Sequence, residues 1–158
     1  DAEDVPADFH ARFSAVSRTY RYTILNREYP SALLQSTTYF FPRPINISRA
    51  NTICSASIGK RDFSSFQRSG SGRINPICEI YKACCWSEGD LVYFRIEADA
   101  FLRGMVRAIV GTILKLQHFD DSINQLHKIL DAQDRNTAGP SVPAHGLSLI
   151  DVKYHTEP

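Results

Sequence analysis

The 158-residue sequence lacks the residue groupings on which most small-protein chemistries depend. Its four cysteines, Cys54, Cys78, Cys84 and Cys85, form no C-x-x-C pair. Its five histidines, His10, His118, His127, His145 and His155, are scattered without metal-ligand spacing. Neither a zinc site nor a disulfide framework is expected, and reduced thiols point to the cytoplasm. There is no G-x-S-x-G elbow, no phosphate-binding G-x-x-x-x-G-K-[ST] loop and no G-x-G-x-x-G opening a helix, because Ser69-Gly70-Ser71-Gly72 follows a polar loop rather than a buried strand. The expectation is a protein with no cofactor and no metal. No apolar run reaches the ~18 residues of a membrane helix, and the longest, Gly104 to Leu116, is interrupted by Arg107, so a soluble protein with no membrane partner is expected. The chain opens on Asp1 rather than Met, with no basic and apolar signal run, and reads as a piece cut from a longer protein.

Enough apolar sequence is present for one ordinary domain, since 43% of residues are apolar and 22% charged. The net charge of +1 conceals an uneven distribution. Residues 1–8 carry four acids and no base, residues 9–73 carry ten Lys and Arg against Glu28 and Asp62, and residues 74–158 carry eight bases against eleven acids. Nine of the ten bases in the middle segment are arginine, whose planar fork suits phosphates and stacks on bases. That pattern fits an anionic polymer as partner; the alternative is a merely solvated surface.

Alternation from Ser14 to Leu25 predicts a half-buried strand, with Val16, Tyr20, Tyr22 and Ile24 on one face, interrupted by Arg18, and Ser17, Thr19, Arg21 and Thr23 on the other. Thr37–Phe41 reads as a short strand, and Ser48 as the N-cap of a helix running to Ile58 and stopped by Gly59. Gln67–Asn75, rich in Gly, Ser and Arg, reads as a mobile loop able to meet phosphates. Ile77–Ser87 and Leu91–Ala98 form a predicted hairpin about Glu88-Gly89-Asp90. Asp99 is expected to cap a helix from Ala100 to Leu116, with Gly104 and Gly111 together on one side, where bare backbone admits a neighbouring segment or a ligand. A helix from Asp121 to Ala132 would turn Ile123, Leu126, Ile129 and Leu130 inward, opened by Asp120-Asp121 acting as cap and dipole partners. Leu147–Tyr154 closes the chain as a strand. The order predicts an α+β domain: a mainly antiparallel sheet with helices packed on one face. That order is RRM-like, without the aromatic-rich strand that would by itself indicate RNA binding.

Four segments carry a resemblance. They are DFHARFSAVSRTYRY (residues 8–22), EADAFLRGMVRAIVG (97–111), AGPSVPAHGL (138–147) and, more weakly, GKRDFSSF (59–66). In order and spacing these resemble the tRNA pseudouridine synthase A (TruA) family, over the C-terminal half of its catalytic region. The resemblance implies that residues 1–158 are a single C-terminal domain, the RRM/ferredoxin-like half of a pseudouridine synthase that isomerises uridine in the anticodon arm of tRNA. It implies three catalytic positions: Tyr20 stacking on the target base and handling protons, Arg107 ion-pairing with the nucleophilic aspartate, and Leu147 packing beneath the pocket. Read without it, Tyr20 and Leu147 are ordinary core residues and Arg107 a boundary cation whose stem lies on apolar surface.

The nucleophile itself belongs to an Arg-Thr-Asp-Ala-Gly segment that does not occur here, so the chain alone is expected to be inert and to need its N-terminal half as partner. Candidate RNA contacts are Arg12, Arg18, Arg21, Lys60, Arg68 and Arg103. Two departures concern RNA contacts: Asn75-Pro76-Ile77-Cys78 lacks an arginine the family carries, and Arg103-Gly104 stands where two histidines are common. A homodimer is also implied. The alternative functions are a non-catalytic RNA-binding module and a dimerisation module on the same scaffold.

Overall fold

The computed structural model describes residues 4–68, 70 and 75–154. Part of the Gln67–Asn75 loop, together with His155, lies outside the described residues. Among the described residues six strands form a single sheet: β1 (Ala15–Leu25), β2 (Tyr39–Phe40), β3 (Gly59–Asp62), β4 (Ile77–Glu88), β5 (Leu91–Ala98) and β6 (Leu147–Tyr154). The order is β2-β1-β5-β4-β3, with β6 also paired to β1. Three helices, α1 (Ile47–Ala56), α2 (Met105–Leu116) and α3 (Ser122–Ala132), pack on one face. The expected α+β class is the observed one.

Apolar periodicity explains the layers. Tyr22 and Ile24 on β1, together with Phe94 and Ile96 on β5, are fully buried beneath Met105 and Ile109 of α2 and Ile53 of α1. Each such side chain contributes about 1.5–3 kcal/mol on burial. The β4–β5 turn needs only Gly89 and Asp90, and Gly89 adopts φ +56°, the left-handed geometry a tight hairpin demands.

Several local expectations are corrected. The first helix is capped by Asn46, whose Oδ1 accepts the Arg49 amide at 3.0 Å, rather than by Ser48. It ends at Ala56, and Gly59 then starts a strand that the alternation did not reveal. The short strand is only Tyr39–Phe40 and runs parallel to β1. Asp99 does not cap α2: its Oδ1 accepts the Glu79 amide at 2.8 Å while its own amide donates to the Glu79 carbonyl, binding it to β4. Helix α2 therefore starts five residues after Ala100, behind Gly104 at φ +78°, which lies in the turn before the helix and not within it. Asp120 pairs with Arg49 at 2.6 Å; Asp121 occupies the cap position of α3 but makes no side-chain bond to its backbone. Ile123 is 38% exposed, leaving Leu126, Ile129 and Leu130 as the buried side of α3.

Candidate functional site

The segment between β5 and α2 and the first half of β1 together line a cleft. Tyr20 projects from β1 on the helix-bearing face and meets Phe101 edge-on, with centroids 5.0 Å apart and an interplanar angle of 84°. With Leu147 at the start of β6, they line a cavity of about 960 Å³ that also contains Arg12, Arg18 and Arg103. Arg18 fastens its rim: Nη1 donates to the Asp99 carbonyl at 2.8 Å and to the Ala15 carbonyl at 3.3 Å, while Nη2 donates to the Arg12 carbonyl. The residue that interrupts the apolar face of β1 thus joins three segments. Phe13 is 74% exposed at the mouth of this cavity, with the Arg12 guanidinium 5.5 Å from its ring centroid.

A second cavity, of about 530 Å³, shares Gly104 with the first and is lined by Arg68, Arg107 and Arg135. Arg107 is held by the 138–143 segment, donating from Nε to the Val142 carbonyl at 2.6 Å and accepting the Val142 amide on its own carbonyl at 3.2 Å. Glycine makes this seat possible. A Cβ on Gly111 would stand 1.7 Å from the Pro140 carbonyl oxygen, and one on Gly139 would stand 2.7 Å from the Thr112 Cα. The Gly139 amide donates to Thr112 Oγ1 at 2.8 Å, and the Tyr22 hydroxyl donates to the Pro143 carbonyl at 2.7 Å. Burial raises the Tyr22 pKa, Tyr39 adding to the rise and Arg107 opposing it, so Tyr22 stays a neutral donor.

The predicted catalytic positions Tyr20 and Leu147 therefore share one cavity, and Arg107 lines the adjoining one. Of the predicted RNA contacts, Arg12, Arg18 and Arg103 line the first cavity and Arg68 the second. Two lie elsewhere. Arg21 is exposed on the opposite sheet face, 5.5 Å from the Tyr93 ring centroid, and Lys60 is exposed on edge strand β3 opposite Glu79. Arg135, Phe13 and Phe101 were not singled out by sequence reasoning. Phe13 and Phe101 fall within residues 8–22 and 97–111, and Arg135 sits three residues before AGPSVPAHGL in a stretch whose net acidity conceals it.

Among the described residues no acidic side chain lines either cavity, although six arginines do. The ion pairs that do form, Arg27 with Asp90, Arg49 with Asp120, and Lys82 and Lys153 with Glu97, lie away from both. Also among the described residues, no three His, Cys, Asp or Glu side chains converge where a metal ion could be held. The arrangement suits a planar ring flanked by negative charge.

Residues 53–155 match the family model described as tRNA pseudouridine synthase. The chain is 37% identical over 150 residues to tRNA pseudouridine synthase A of Hydrogenovibrio crunogenus, covering 95% of this chain and 57% of that protein. It is 41% identical over 150 residues to that of Bdellovibrio bacteriovorus, covering 94% and 57%, and 37% identical over 154 residues to tRNA pseudouridine synthase A 2 of Clostridium perfringens, covering 98% and 63%. The chain thus spans about 57–63% of the length of these relatives.

Proposed function

The chain belongs to the tRNA pseudouridine synthase family, and on that premise we propose that it forms one wall of a tRNA pseudouridine synthase cleft. The reaction would convert uridine to pseudouridine in the anticodon arm of tRNA. The observation that carries this reading is the pair of adjoining cavities, with aromatic rings in one, six arginines across both and no carboxylate among the described lining residues.

An aromatic face and uncompensated guanidinium groups are what a flipped nucleotide requires. The target uridine enters the larger cavity and stacks on Tyr20, a contact worth about 1–3 kcal/mol in single-strand binders, with Leu147 packed beneath it. The nucleophilic carboxylate comes from an upstream half and approaches Arg107, whose Nη1 and Nη2 have no hydrogen-bond partner among the described residues. An opposite charge at ~4–6 Å lowers a carboxylate pKa, so Arg107 keeps the nucleophile ionised. The carboxylate attacks sugar or base, the C1′–N1 bond breaks, the uracil rotates and a C1′–C5 bond forms as the carboxylate is released; C5 then gives up its proton and N1 carries one, so the isomerisation balances without a cofactor.

The upstream half has a place to dock. The outer edge of β6 is unpaired among the described residues, and Leu149 and Ile150 there are 52% and 40% exposed. The intact enzyme is a cytoplasmic homodimer in this reading, which rests on the family resemblance and, for location, on the free thiols of Cys54, Cys84 and Cys85.

The test is tritium release from uridine-labelled, unmodified tRNA by this chain alone and by the chain joined to an upstream half. Release by the joined protein only is the expected result. Release by neither, from folded protein whose upstream half carries the aspartate motif, would replace this reading with a non-catalytic RNA-binding module.

A further inference from the structure

We propose that the cavity lined by Arg68, Arg107 and Arg135 is a phosphodiester subsite, holding the polynucleotide backbone beside the nucleotide seated at Tyr20; this rests on the function proposed above. Composition separates the two cavities. The larger one presents the aromatic rings of Phe13, Tyr20 and Phe101, whereas the described lining of the smaller one has no aromatic ring and no acid, only three arginines, Asn136, Ser141 and small or apolar residues. A base gains from the first and a phosphate from the second.

Two of the guanidinium groups are anchored without losing charge. Arg107 donates from Nε to the Val142 carbonyl, and Arg135 donates from Nη1 to the Gly139 carbonyl at 3.0 Å and from Nη2 to Ser141 Oγ at 3.2 Å. All three acceptors are neutral, so the side chains are held in place while their positive charges stay uncompensated and their remaining N–H groups stay available. Arg68 completes the set. Its amide donates to the Arg103 carbonyl at 2.9 Å, beside Gly104, whose φ of +78° turns the chain into α2. A carboxylate arriving from upstream would neutralise Arg107 alone. Arg68 and Arg135 exceed what one carboxylate requires, and the shared Gly104 places them next to the base-binding cavity, where the adjacent backbone must pass.

The test uses the full-length protein and tRNA in which each phosphate around the isomerised uridine is replaced in turn by a neutral methylphosphonate. Wild type should lose about tenfold in affinity at one of these positions, the scale of a single charge-assisted contact. Arg68→Ala should lose a similar factor on unmodified tRNA and clearly less than the wild-type factor at that position, where Arg135 remains, and its log–log salt slope should fall, by up to about 0.7–0.9. Arg68→Lys should keep the slope, which separates lost charge from lost structure. Losses that add at every position, or an unchanged slope in Arg68→Ala, would overturn the subsite. Failure of the wild type to bind or modify tRNA would overturn the functional reading instead.

Discussion

The two faces of the sheet carry similar cations and treat them differently. On the helix-bearing side, Arg107 and Arg135 are fixed by carbonyl and hydroxyl oxygens, and no carboxylate lines their cavity among the described residues. On the opposite side, Lys153 donates to Glu97 Oε1 at 2.6 Å, with Lys82 4.0 Å from Oε2 and Ser17 donating to Oε1. Arg21 lies over Tyr93, Tyr93 stacks on Trp86 at 5.1 Å, and Trp86 Nε1 donates to Glu88. Counting arginines along the chain cannot separate these faces. What distinguishes a surface for an anionic polymer is positive charge held in place by neutral groups; cations that already have carboxylates or rings have less to gain from a phosphate.

The largest way to break the contrast is to remove Arg107, the guanidinium proposed to face a carboxylate from the upstream half. In the full-length protein, Arg107→Ala should lower kcat by about 10²–10³, the scale of losing one preorganised charge-stabilising donor, with Lys recovering part of it. Single-turnover kinetics at saturating tRNA would check this. A change confined to KM would make Arg107 a binding residue only.

Next is the seat of that guanidinium. Gly111→Ala puts a methyl group where the Pro140 carbonyl oxygen already stands at 1.7 Å, so the 138–143 segment must move off α2. Urea unfolding should show a loss of about 3 kcal/mol, the upper end of ordinary overpacking, because backbone rather than a flexible side chain is the obstacle. A near-neutral result would mean that the segment can leave its seat freely.

On the opposite face, the pairing of Glu97 with its lysines gives a pH signature. Glu97 is 5% exposed, and its carboxyl lies below the usual carboxylate range chiefly because Lys153 donates to it, with Ser17 and Lys82 assisting and burial opposing. Its folded pKa is depressed, so its contribution is present above the unfolded carboxylate value and is lost as pH falls through the folded one. Lys153→Met should cost about 1–2 kcal/mol near neutrality, reduced from a fully buried pair because Lys153 is half exposed. The variant should also lose less stability than wild type between pH 5 and pH 3, since protonating an unpaired buried carboxyl relieves it. Thermal melts across that range would decide the sign.

Much of this architecture was legible because period-2 alternation and hairpin chemistry are local. The β4–β5 hairpin and β6 fall where the pattern puts them. The start of α2 was not legible, because an aspartate before an apolar run serves equally as a helix cap or as an acceptor for a neighbouring strand, and Asp99 bonds to Glu79. The two glycines of that segment looked alike in sequence, yet Gly104 is needed for its positive φ and Gly111 for the approach of Pro140. The site was legible as a set of motifs but not as geometry. Periodicity places Tyr20 and Arg21 on opposite faces of β1, but only the packing of α2 and the 100–104 segment shows which face holds a cleft.

Arg103 and Arg21 give the smallest effects and the sharpest contrast between the faces. Arg103 lines the larger cavity and Arg21 lies across the sheet on an aromatic ring, although both belong to motif segments of the same family. Reversing each charge in turn separates proximity to the cleft from membership of a motif. Arg103→Glu should weaken tRNA binding and reduce the log–log salt slope by about 0.7–0.9, the range for one phosphate contact between single-stranded and duplex nucleic acid. Arg21→Glu should leave the slope near wild type and instead lower stability by about 0.5–1 kcal/mol, through the lost contact with Tyr93. Fluorescence titrations at several salt concentrations, paired with melts, would measure both quantities in each variant. A full slope reduction at Arg21 would extend the proposed RNA path around the sheet edge to the second face, and the contrast between the two faces would then rest on Glu97 and its lysines alone.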